Sequence, residues 1–296
     1  MLSEKLKTFK KEYYQWRYWN NIINTMQKHK RKILNNSSKL QPYINKPGIA
    51  FSFDDSFRVD HWYKYGKELF GYYEVKVTFN INAFHFFEGQ REHTQNEIDM
   101  LIDLQSNGHE IAHHGFKHKN AANYSTEFGL KKWVEDEVVS LINWAKSQSH
   151  SLTKERLKQP VSFALPFSEL KEENVNEVFP KYYKVIRGGL NKDNLTPFNH
   201  SGFAPSICID SVYLSNAKYI NKIMDMAKKM GCNLIFMCHS ILPEDVAWKD
   251  FGWEQDTNGA GWWRITPNMI KALIEEAKKK IWNFILLLKY QELPLL

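Results

Sequence analysis

The sequence predicts an α/β fold in which seven or eight parallel strands alternate with helices and close into a (β/α) barrel, preceded by an N-terminal helical extension. From residue 48 onward, short apolar or β-branched segments alternate with amphipathic helical segments, and most connections between them are short. Polar residues follow several predicted strands, which is where a (β/α) barrel carries its reactive groups. No glycine-rich dinucleotide or phosphate-binding motif follows any predicted strand.

The length and composition fit a globular chain with a substantial core. The chain has 296 residues, is 43% hydrophobic and 25% charged, and contains ten tryptophans. These values exclude a disordered or fibrous protein. No apolar run approaches the ~20 residues that a membrane-spanning helix needs. Three cysteines are too few, and odd in number, for a disulfide framework.

Positive charge is concentrated in residues 1–47, which we predict to be a basic helical arm in front of a barrel domain over residues 48–296. The arm carries eleven lysines and arginines against two acidic residues, a net charge of +9, whereas the rest of the chain has a net charge of −2. A nucleic-acid partner is therefore not expected, because a phosphate-binding surface normally spreads through the folded domain. Charge continues where a signal peptide would be apolar, so we expect a cytoplasmic protein, or a cell-surface or periplasmic one if a leader has been removed.

Apolar residues recur every three or four positions through the arm and predict one face of a helix. They are Leu2, Leu6, Phe9, Tyr13, Trp16, Trp19, Ile23 and Met26. We favour packing of this helix on its own domain. The alternatives are a contact of residues 1–32 with an anionic membrane surface or with a partner protein.

The barrel elements follow in order along the chain. Strands are predicted at residues 48–53, 74–79, 109–113, 161–165, 183–186, 207–214, 233–239 and 281–285. Helices are predicted at residues 62–70, 94–106, 130–145, 169–178, 217–230 and from 266 onward. Thr94 and Glu97 form a capping box, Gly108 supplies a left-handed stop, and Thr266 is an N-cap followed by proline at the first helical position.

Five side chains at the predicted strand ends have the chemistry of a hydrolytic metal site. Asp55, His114 and His118 provide one carboxylate and two imidazoles, which leaves a coordination position open as hydrolysis requires. Adjacent residues on extended backbone point apart, so Asp54 can take a proton from the attacking water while Asp55 binds metal. His239 ends the 233–239 strand. Each feature alone is common, and their joint occurrence at strand ends favours a functional site.

At these residues the chain resembles the polysaccharide deacetylases of the NodB-homology type, carbohydrate esterase family 4. The resemblance covers about residues 48–290 and implies a distorted (β/α)7–8, NodB-like barrel. It rests on the motifs Ser-Phe-Asp-Asp at 52–55, Gly-His-Glu-Ile at 108–111, His-x-x-x-His at 114–118 and the apolar strand ending in histidine at 234–239, with Arg-Ile-Thr-Pro at 264–267 in support.

The resemblance implies a role for each matching residue. Asp54 would be the general base, and Asp55, His114 and His118 would bind the metal. His239 would be the general acid that protonates the leaving amine. Such a site is expected to hold a divalent metal, with Zn²⁺ favoured by two imidazoles and one carboxylate, and Co²⁺ or Mn²⁺ as alternatives.

The sequence departs from the family pattern in its third motif. Ala164 stands where the family usually has an arginine that orients the base, while the backbone N–H of Phe167 can still serve as an oxyanion donor. Arg187, at the end of the next predicted strand, is a candidate for the missing charge. Asp210 is a candidate for the family's fourth-motif aspartate. His113 stands where the family often has asparagine and is expected to support the metal ligands.

Several other residues have less specific interpretations. Four tryptophans cluster in the loop after His239, namely Trp248, Trp253, Trp262 and Trp263. They either stack on sugar rings or pack the loop against the barrel. Cys238 is expected in the core, because neighbouring strand residues face opposite sides. His85 and His93 have no partner pattern and are expected to be solvated.

The function expected from the resemblance is a metal-dependent hydrolase that removes N-acetyl groups from an amino-sugar glycan. An alternative within enzymes is a related amidase or O-deacetylase acting on a small substrate. A second alternative is a NodB-like protein that binds glycan without turnover, which the alanine at position 164 keeps open. The oligomeric state, the sugar and the metal are not fixed by the sequence.

Overall fold

The computed structural model describes residues 2–35, 48–84, 91–190, 202–214, 217–230, 233–243, 245–246 and 263–289. The strands are β1 (Gly48–Phe53), β2 (Thr78–Ile81), β3 (Glu110–His113), β4 (Ser162–Ala164), β5 (Val185–Gly189), β6 (Phe203–Cys208), β7 (Leu234–Cys238), β8 (Ser240–Ile241), β9 (Arg264–Ile265) and β10 (Asn283–Phe284). The helices are α1 (Leu2–Asn35), α2 (Val59–Tyr65), α3 (Gly71–Tyr73), α4 (Gln95–Ser106), α5 (Ala121–Phe128), α6 (Leu130–Trp133), α7 (Ser140–Ser147), α8 (Glu172–Val178), α9 (Lys218–Met230) and α10 (Pro267–Lys279). Two π-helical turns lie at Gly66–Phe70 and Val134–Val139.

Seven parallel strands close into a barrel, which confirms the predicted fold class. Each strand from β1 to β7 pairs with the next one, and β7 pairs with β1. The closing pair runs the full length of β7, from Ile49 opposite Leu234 to Phe53 opposite Cys238. The short β10 lies on the other side of the first residues of β1. All these pairs are parallel, so the carboxyl ends of the seven strands meet at one end of the barrel.

Three of the differences between the predicted and observed strand boundaries bear on the barrel mouth or on the extent of the strands. The strand predicted at 74–79 forms only from Thr78 onward. The strand predicted at 207–214 ends at Cys208, because the carbonyl of Asp210 accepts the backbone N–H groups of Tyr213 and Leu214 in a turn. The strand predicted at 183–186 begins at Val185 and continues to Gly189, which places Arg187 inside β5 rather than after it.

The strands alternate between a barrel interior and an outer layer packed against helices. At the amino ends the interior holds the apolar side chains Ala50, Val185, Ala204, Ile235 and Leu287, beside a buried Glu110 carboxylate that accepts hydrogen bonds from Thr78 and Ser162. Nearer the carboxyl ends it becomes mostly polar. The outer layer joins strand residues to the helices in larger apolar clusters. A packed floor therefore supports a polar site at one end of the barrel.

The predicted helix signals are present. Thr94 accepts a hydrogen bond from the Glu97 backbone and Glu97 returns one, which forms the capping box of α4. Gly108 has a φ of +88°, where a side chain would be strained. Thr266 caps α10 by accepting from Met269 N, with proline at the first helical position.

Helix α1 packs on the barrel through its second half. Trp19, Ile22, Ile23 and Met26 are buried in the main core, and Trp19 Nε1 donates to the carbonyl of Tyr213. The favoured packing of this face on its own domain is wrong for the first half, where Leu6, Phe9, Tyr13 and Trp16 are exposed. Every described side chain from Leu6 to Tyr14 is exposed, whichever way it points from the helix, so the described residues bury no side of this half. No described helix is long and apolar enough to span a bilayer. The division at residue 47 stays a prediction.

Candidate metal centre

Three side chains from two loops converge at the carboxyl end of the barrel. The Oδ1 atom of Asp55, just after β1, lies 2.9 Å from His114 Nε2 and 3.0 Å from His118 Nε2. His114 follows β3 directly, and His118 lies in the next turn. All three residues are buried, and their ligand atoms lie within 4.8 Å of one another. The structure thus brings together the metal-ligand set that the sequence predicts.

The arrangement fits a divalent cation. Ligand atoms around tetrahedral zinc lie about 3.3 Å apart, close to the distances here. Asp55 Oδ1 is buried, yet it makes no hydrogen bond of good geometry with the described residues. His114 Nδ1 lies 2.7 Å from the Ala164 carbonyl and must donate to it, which leaves the lone pair on Nε2 directed at Asp55. A carboxylate oxygen without a proton partner and an oriented imidazole are what a cation requires.

Protonation at the centre suits metal binding. Burial raises the pKa of Asp55, but the charges of His118 and His239 nearby lower it and outweigh burial, so the pKa lies well below its usual value. Burial lowers the pKa of His118, although Asp55 opposes the shift. Metal ligands must be an ionised carboxylate and neutral imidazoles, and both directions favour those forms.

Backbone strain is concentrated around the centre. Eight described non-glycine residues have positive φ, and five of them lie at the site: Asp55, Ser56, His118, Phe167 and Ser168. Each such residue costs on the order of 1 kcal/mol or more and persists only where surrounding contacts impose it. The loops after β1, β3 and β4 are therefore held in conformations that aim particular side chains at the barrel mouth.

The predicted base is held by two interior side chains. Arg187 Nη2 lies 2.5 Å from Asp54 Oδ2, and Asn80 Nδ2 donates to Asp54 Oδ1 at 2.8 Å. Arg187 is fully buried and also donates to Ser206 Oγ. Asp54 Oδ2 is 3.9 Å from His114 Nε2, so the carboxylate lies beside the ligand set. Asn80 was not among the predicted site residues; it directly follows the strand predicted at 74–79, and its only signal was its polarity.

The predicted acid also lies close to Asp55. His239 Nε2 is 3.5 Å from Asp55 Oδ2, and His239 Nδ1 is 2.6 Å from Asp210 Oδ2. Asp210 is completely buried and also accepts the backbone N–H of His239. Burial lowers the pKa of His239, but the charges of Asp210 and then Asp55 raise it to about 9. The imidazole is consequently protonated at neutral pH, as a general acid must be.

A buried carboxylate that the sequence analysis missed holds the loop between the two ligand histidines. Glu137 lies in the π-helical turn, and its oxygens accept the backbone N–H groups of Lys117 and Lys119 at 3.1–3.2 Å. A Cβ on Gly115, whose φ is +85°, would approach Glu137 Oε2 to 2.8 Å. Glu137 is 3% exposed, so its contacts to the loop are shielded from water. In the sequence it is one acid in a charged helical run, and nothing marks it out.

The remaining candidates lie around the rim. The ring of Phe167 packs on His118, with centroids 4.6 Å apart, and its backbone follows β4 in a left-handed turn. The Trp263 ring lies edge-on to His239 at 5.1 Å. Trp248, Trp253 and Trp262 lie outside the described residues. The oxyanion role of Phe167 and the stacking role of the tryptophans stay predictions.

Two histidines differ from their predictions. His113 points away from the ligands into the outer layer, where its Nδ1 lies 2.5 Å from Tyr183 Oη. It follows β3 alternation, which turns His114 inward and therefore His113 outward. His93 is buried rather than solvated, with Nε2 2.9 Å from the Asn82 carbonyl. His85 lies outside the described residues. Cys238 is buried in the outer layer, as expected.

Comparison with known proteins finds a family model that matches the first part of the barrel. Residues 42–181 match the family model described as polysaccharide deacetylase. This stretch contains Asp54, Asp55, His114 and His118, whereas Arg187, Asp210 and His239 lie beyond it. No curated protein gives a significant sequence match.

Solved structures are similar at low sequence identity. A carbohydrate esterase family 4 esterase from Streptococcus mutans has a TM-score of 0.52 and 12% identity, over 82% of this chain and 86% of that one. A chitin deacetylase from Colletotrichum lindemuthianum has a TM-score of 0.50 and 13% identity, over 86% of this chain and 91% of that one. A family 4 pseudoenzyme from Bacillus anthracis has a TM-score of 0.48 and 11% identity, over 84% of this chain and 66% of that one. At these identities the likeness to the first two structures shows the fold alone.

Proposed function

We propose that this chain is a metal-dependent hydrolase that removes N-acetyl groups from an amino-sugar glycan, and the polysaccharide deacetylase match over residues 42–181 supports the proposal. The observation that carries it is the convergence of Asp55, His114 and His118 within 4.8 Å, with Asp54 3.9 Å from His114 and His239 3.5 Å from Asp55. A base and an acid flanking one cation are what cleavage of an unreactive amide requires.

The chemistry divides between the cation and the protein. A divalent metal held by Asp55, His114 and His118 would act as a Lewis acid that polarises the acetamide carbonyl and makes water more acidic. Asp54 takes the proton of the attacking water, and Arg187 and Asn80 keep its two oxygens in place for that transfer.

The second half of the reaction needs a proton on the leaving amine. His239 supplies it from Nε2, while Asp210 binds the opposite ring nitrogen and favours the charged imidazole. The backbone N–H of Phe167 is the candidate donor for the oxygen that gains negative charge when water adds to the carbonyl. The exposed ring of Phe167 and the Trp263 ring offer apolar faces for a sugar.

Zinc is the metal we favour. Two imidazole nitrogens and one carboxylate oxygen match its ligand preference, and three protein ligands leave one position for substrate or water. Co²⁺ and Mn²⁺ accept the same donors. The choice is tested by loading the metal-stripped protein with each ion and comparing turnover.

Acetate release tests the function. Purified protein is incubated with N-acetylglucosamine oligomers, with peptidoglycan and with O-acetylated xylan, and acetate is measured before and after chelation and after adding zinc back. We expect release from an N-acetylated substrate that the chelator abolishes and zinc restores.

Asp54→Asn should keep the metal and lose activity by about 10²–10⁴-fold. His114→Ala should lose both, and Asp60→Asn, an exposed aspartate after β1, is the matched control.

The two alternatives give different results in this assay. Release from O-acetylated xylan only would identify an O-deacetylase, and release from a monosaccharide amide only would identify a small-substrate amidase. A zinc-loaded protein that binds N-acetylglucosamine oligomers but releases no acetate would be a binding protein without turnover. Ala164 in place of the family's arginine is the observation that favours this last alternative.

A further inference from the structure

The first half of α1 carries a stripe of large apolar side chains at its surface. Leu6, Phe9, Tyr13 and Trp16 are each between 51% and 64% exposed. All described side chains from Leu6 to Tyr14 are exposed, and Gln15 is the first buried one. Scattered apolar residues are normal at a surface, but four consecutive members of one helical stripe form a patch that indicates an interaction.

This stripe continues, toward the start of the helix, the apolar side that packs on the barrel. Trp16 lies almost in line with the buried Ile23 along the helix, whereas Leu6, Phe9 and Tyr13 are rotated away from the buried Trp19 and Met26. The rings of Tyr13 and Trp16 stack on each other, with centroids 5.8 Å apart, which makes part of the stripe a continuous aromatic surface. Packing on the core therefore leaves this surface uncovered by the described residues.

Basic residues border the stripe along one edge. Lys10 lies one helical turn from Leu6, and Arg17 lies one turn from Tyr13. Among the described side chains of residues 6–17, Glu12 is the only acidic one. Residues 1–47 have a net charge of +9, whereas the rest of the chain has a net charge of −2. Attraction to a negative surface is thus a property of this segment and not of the barrel.

We propose that the first half of α1 binds the surface of an anionic lipid bilayer, with Leu6, Phe9, Tyr13 and Trp16 inserted at the interface and Lys10 and Arg17 at the headgroups. A basic edge beside an apolar stripe is the pattern of an interfacial helix. Tyrosine and tryptophan suit this boundary, because each has an apolar ring and a polar atom that stays hydrated. The charge asymmetry selects an anionic lipid surface over an apolar protein partner.

The position of α1 would bring the catalytic end of the barrel to the bilayer. Gln15 Nε2 donates to the carbonyls of Ser211 and Val212, and Tyr18 Oη donates to the Cys208 carbonyl. These contacts lie at the carboxyl end of β6, the end that carries the metal centre. Docking would therefore hold that centre near glycan at a membrane surface, a consequence that rests on the proposed function.

Vesicle co-sedimentation of the full chain tests the proposal. Phosphatidylcholine vesicles are compared with vesicles that also contain phosphatidylglycerol, at low and high salt. We expect at least tenfold stronger binding to the anionic vesicles, reduced by salt. The double variant Phe9→Ser/Trp16→Ser and the double variant Lys10→Gln/Arg17→Gln should each lose at least tenfold in binding. Phe128→Ser removes an equally exposed phenylalanine, 53% exposed in α5, and should bind like the parent.

Each alternative outcome contradicts the proposal. If the parent protein does not bind anionic vesicles, or if both double variants bind them as well as the parent, this surface does not bind lipid. A dimer in sedimentation velocity that the Phe9→Ser/Trp16→Ser variant converts to monomer would assign the stripe to a second copy of the chain. The charge variant leaves the apolar side chains intact, so it stays informative if the serine variant unfolds. Acetate release from a soluble oligomer should be equal in all variants, which separates this test from that of the proposed function.

Discussion

Arg187 Nη2 lies 2.5 Å from Asp54 Oδ2, and Arg187 is the direct neighbour of Ala164 across the β4–β5 pair. Register partners in a parallel pair point to the same side of the sheet, so both side chains face the barrel interior at one level. The arginine expected at position 164 from the family resemblance is thus matched by one on the adjacent strand. The buried charge opposite Asp54 is present, supplied from a different position.

Loss of Arg187 should impair turnover without removing the metal. In Arg187→Gln, Asp54 keeps its hydrogen bond from Asn80 but loses the charge that fixes its second oxygen, so we expect kcat to fall by about 10²-fold. Metal content, measured by elemental analysis, should stay at the parent value. Moving the arginine back in Ala164→Arg/Arg187→Ala should recover activity relative to Arg187→Ala alone. A swapped variant no more active than Arg187→Ala would show that the charge at Asp54 is not what matters.

Asp210→Asn should shift the pH dependence of turnover. The charges of Asp210 and Asp55 outweigh burial and raise the pKa of His239 to about 9. A general acid acts while protonated, so activity falls as pH rises through this pKa. Without the Asp210 charge the pKa of His239 drops, and the alkaline limb of the kcat profile should move to lower pH. An alkaline limb unchanged in Asp210→Asn would argue against His239 as the acid.

Glu137→Gln should weaken metal binding. The two carboxylate oxygens of Glu137 accept hydrogen bonds from Lys117 N and Lys119 N, and a glutamine side chain has only one oxygen that can accept. The loop that carries His118 therefore loses one of these hydrogen bonds. We expect the zinc dissociation constant, measured by competition with a chromophoric chelator, to rise by about 10–100-fold. Glu135→Gln changes an exposed acid two residues away and serves as the control. Equal zinc affinity in Glu137→Gln and Glu135→Gln would limit Glu137 to a role in folding.

Stability should fall in mild acid because of His109. Burial, and then the nearby charge of Lys76, lower its pKa to about 4, and its Nδ1 accepts a hydrogen bond from Val77 N. In the unfolded chain a histidine has a pKa near 6.5. Between pH 6.5 and pH 4 the unfolded state therefore binds a proton that the folded state does not bind. The free energy of unfolding consequently drops by up to ~1.4 kcal/mol for each unit by which the pH falls in this range. Urea unfolding at pH 7 and pH 5 should show a smaller loss in His109→Asn. The same loss in both proteins would contradict this assignment.

The sequence was sufficient for the barrel and for the convergence of the metal ligands. Asp55 and His114 each follow a short apolar strand, and the parallel topology alone brings such positions to one end of the barrel. His118 follows His114 by a single turn. No knowledge of strand register was needed for this part.

The residues that support the site could be identified only through register and turn geometry. Arg187 was a candidate because of its charge, but its pairing with Asp54 depends on β5 extending beyond its predicted end. Asp210 meets His239 because the chain leaves β6 in a turn that the sequence prediction replaced with strand. Asn80 and Glu137 carry no sequence signal that separates them from other polar residues in their elements.

Helix α1 shows a limit of periodicity as a predictor. Spacings of three and four residues occur all along its apolar stripe, and a pattern of this kind predicts a single face. Trp16 and Ile23 lie almost in line on this face, yet Trp16 is exposed and Ile23 is buried. Periodicity predicts which side of a helix is apolar, and it does not predict how far along the helix a neighbour covers that side.

Whether Asp55, His114 and His118 bind one cation is decided by anomalous diffraction at the zinc edge from crystals of the zinc-loaded protein. We expect one strong peak per chain, at about 2.0–2.2 Å from Asp55 Oδ1, His114 Nε2 and His118 Nε2. A zinc-loaded crystal with no peak between these three atoms, or with its metal bound elsewhere, would contradict this expectation.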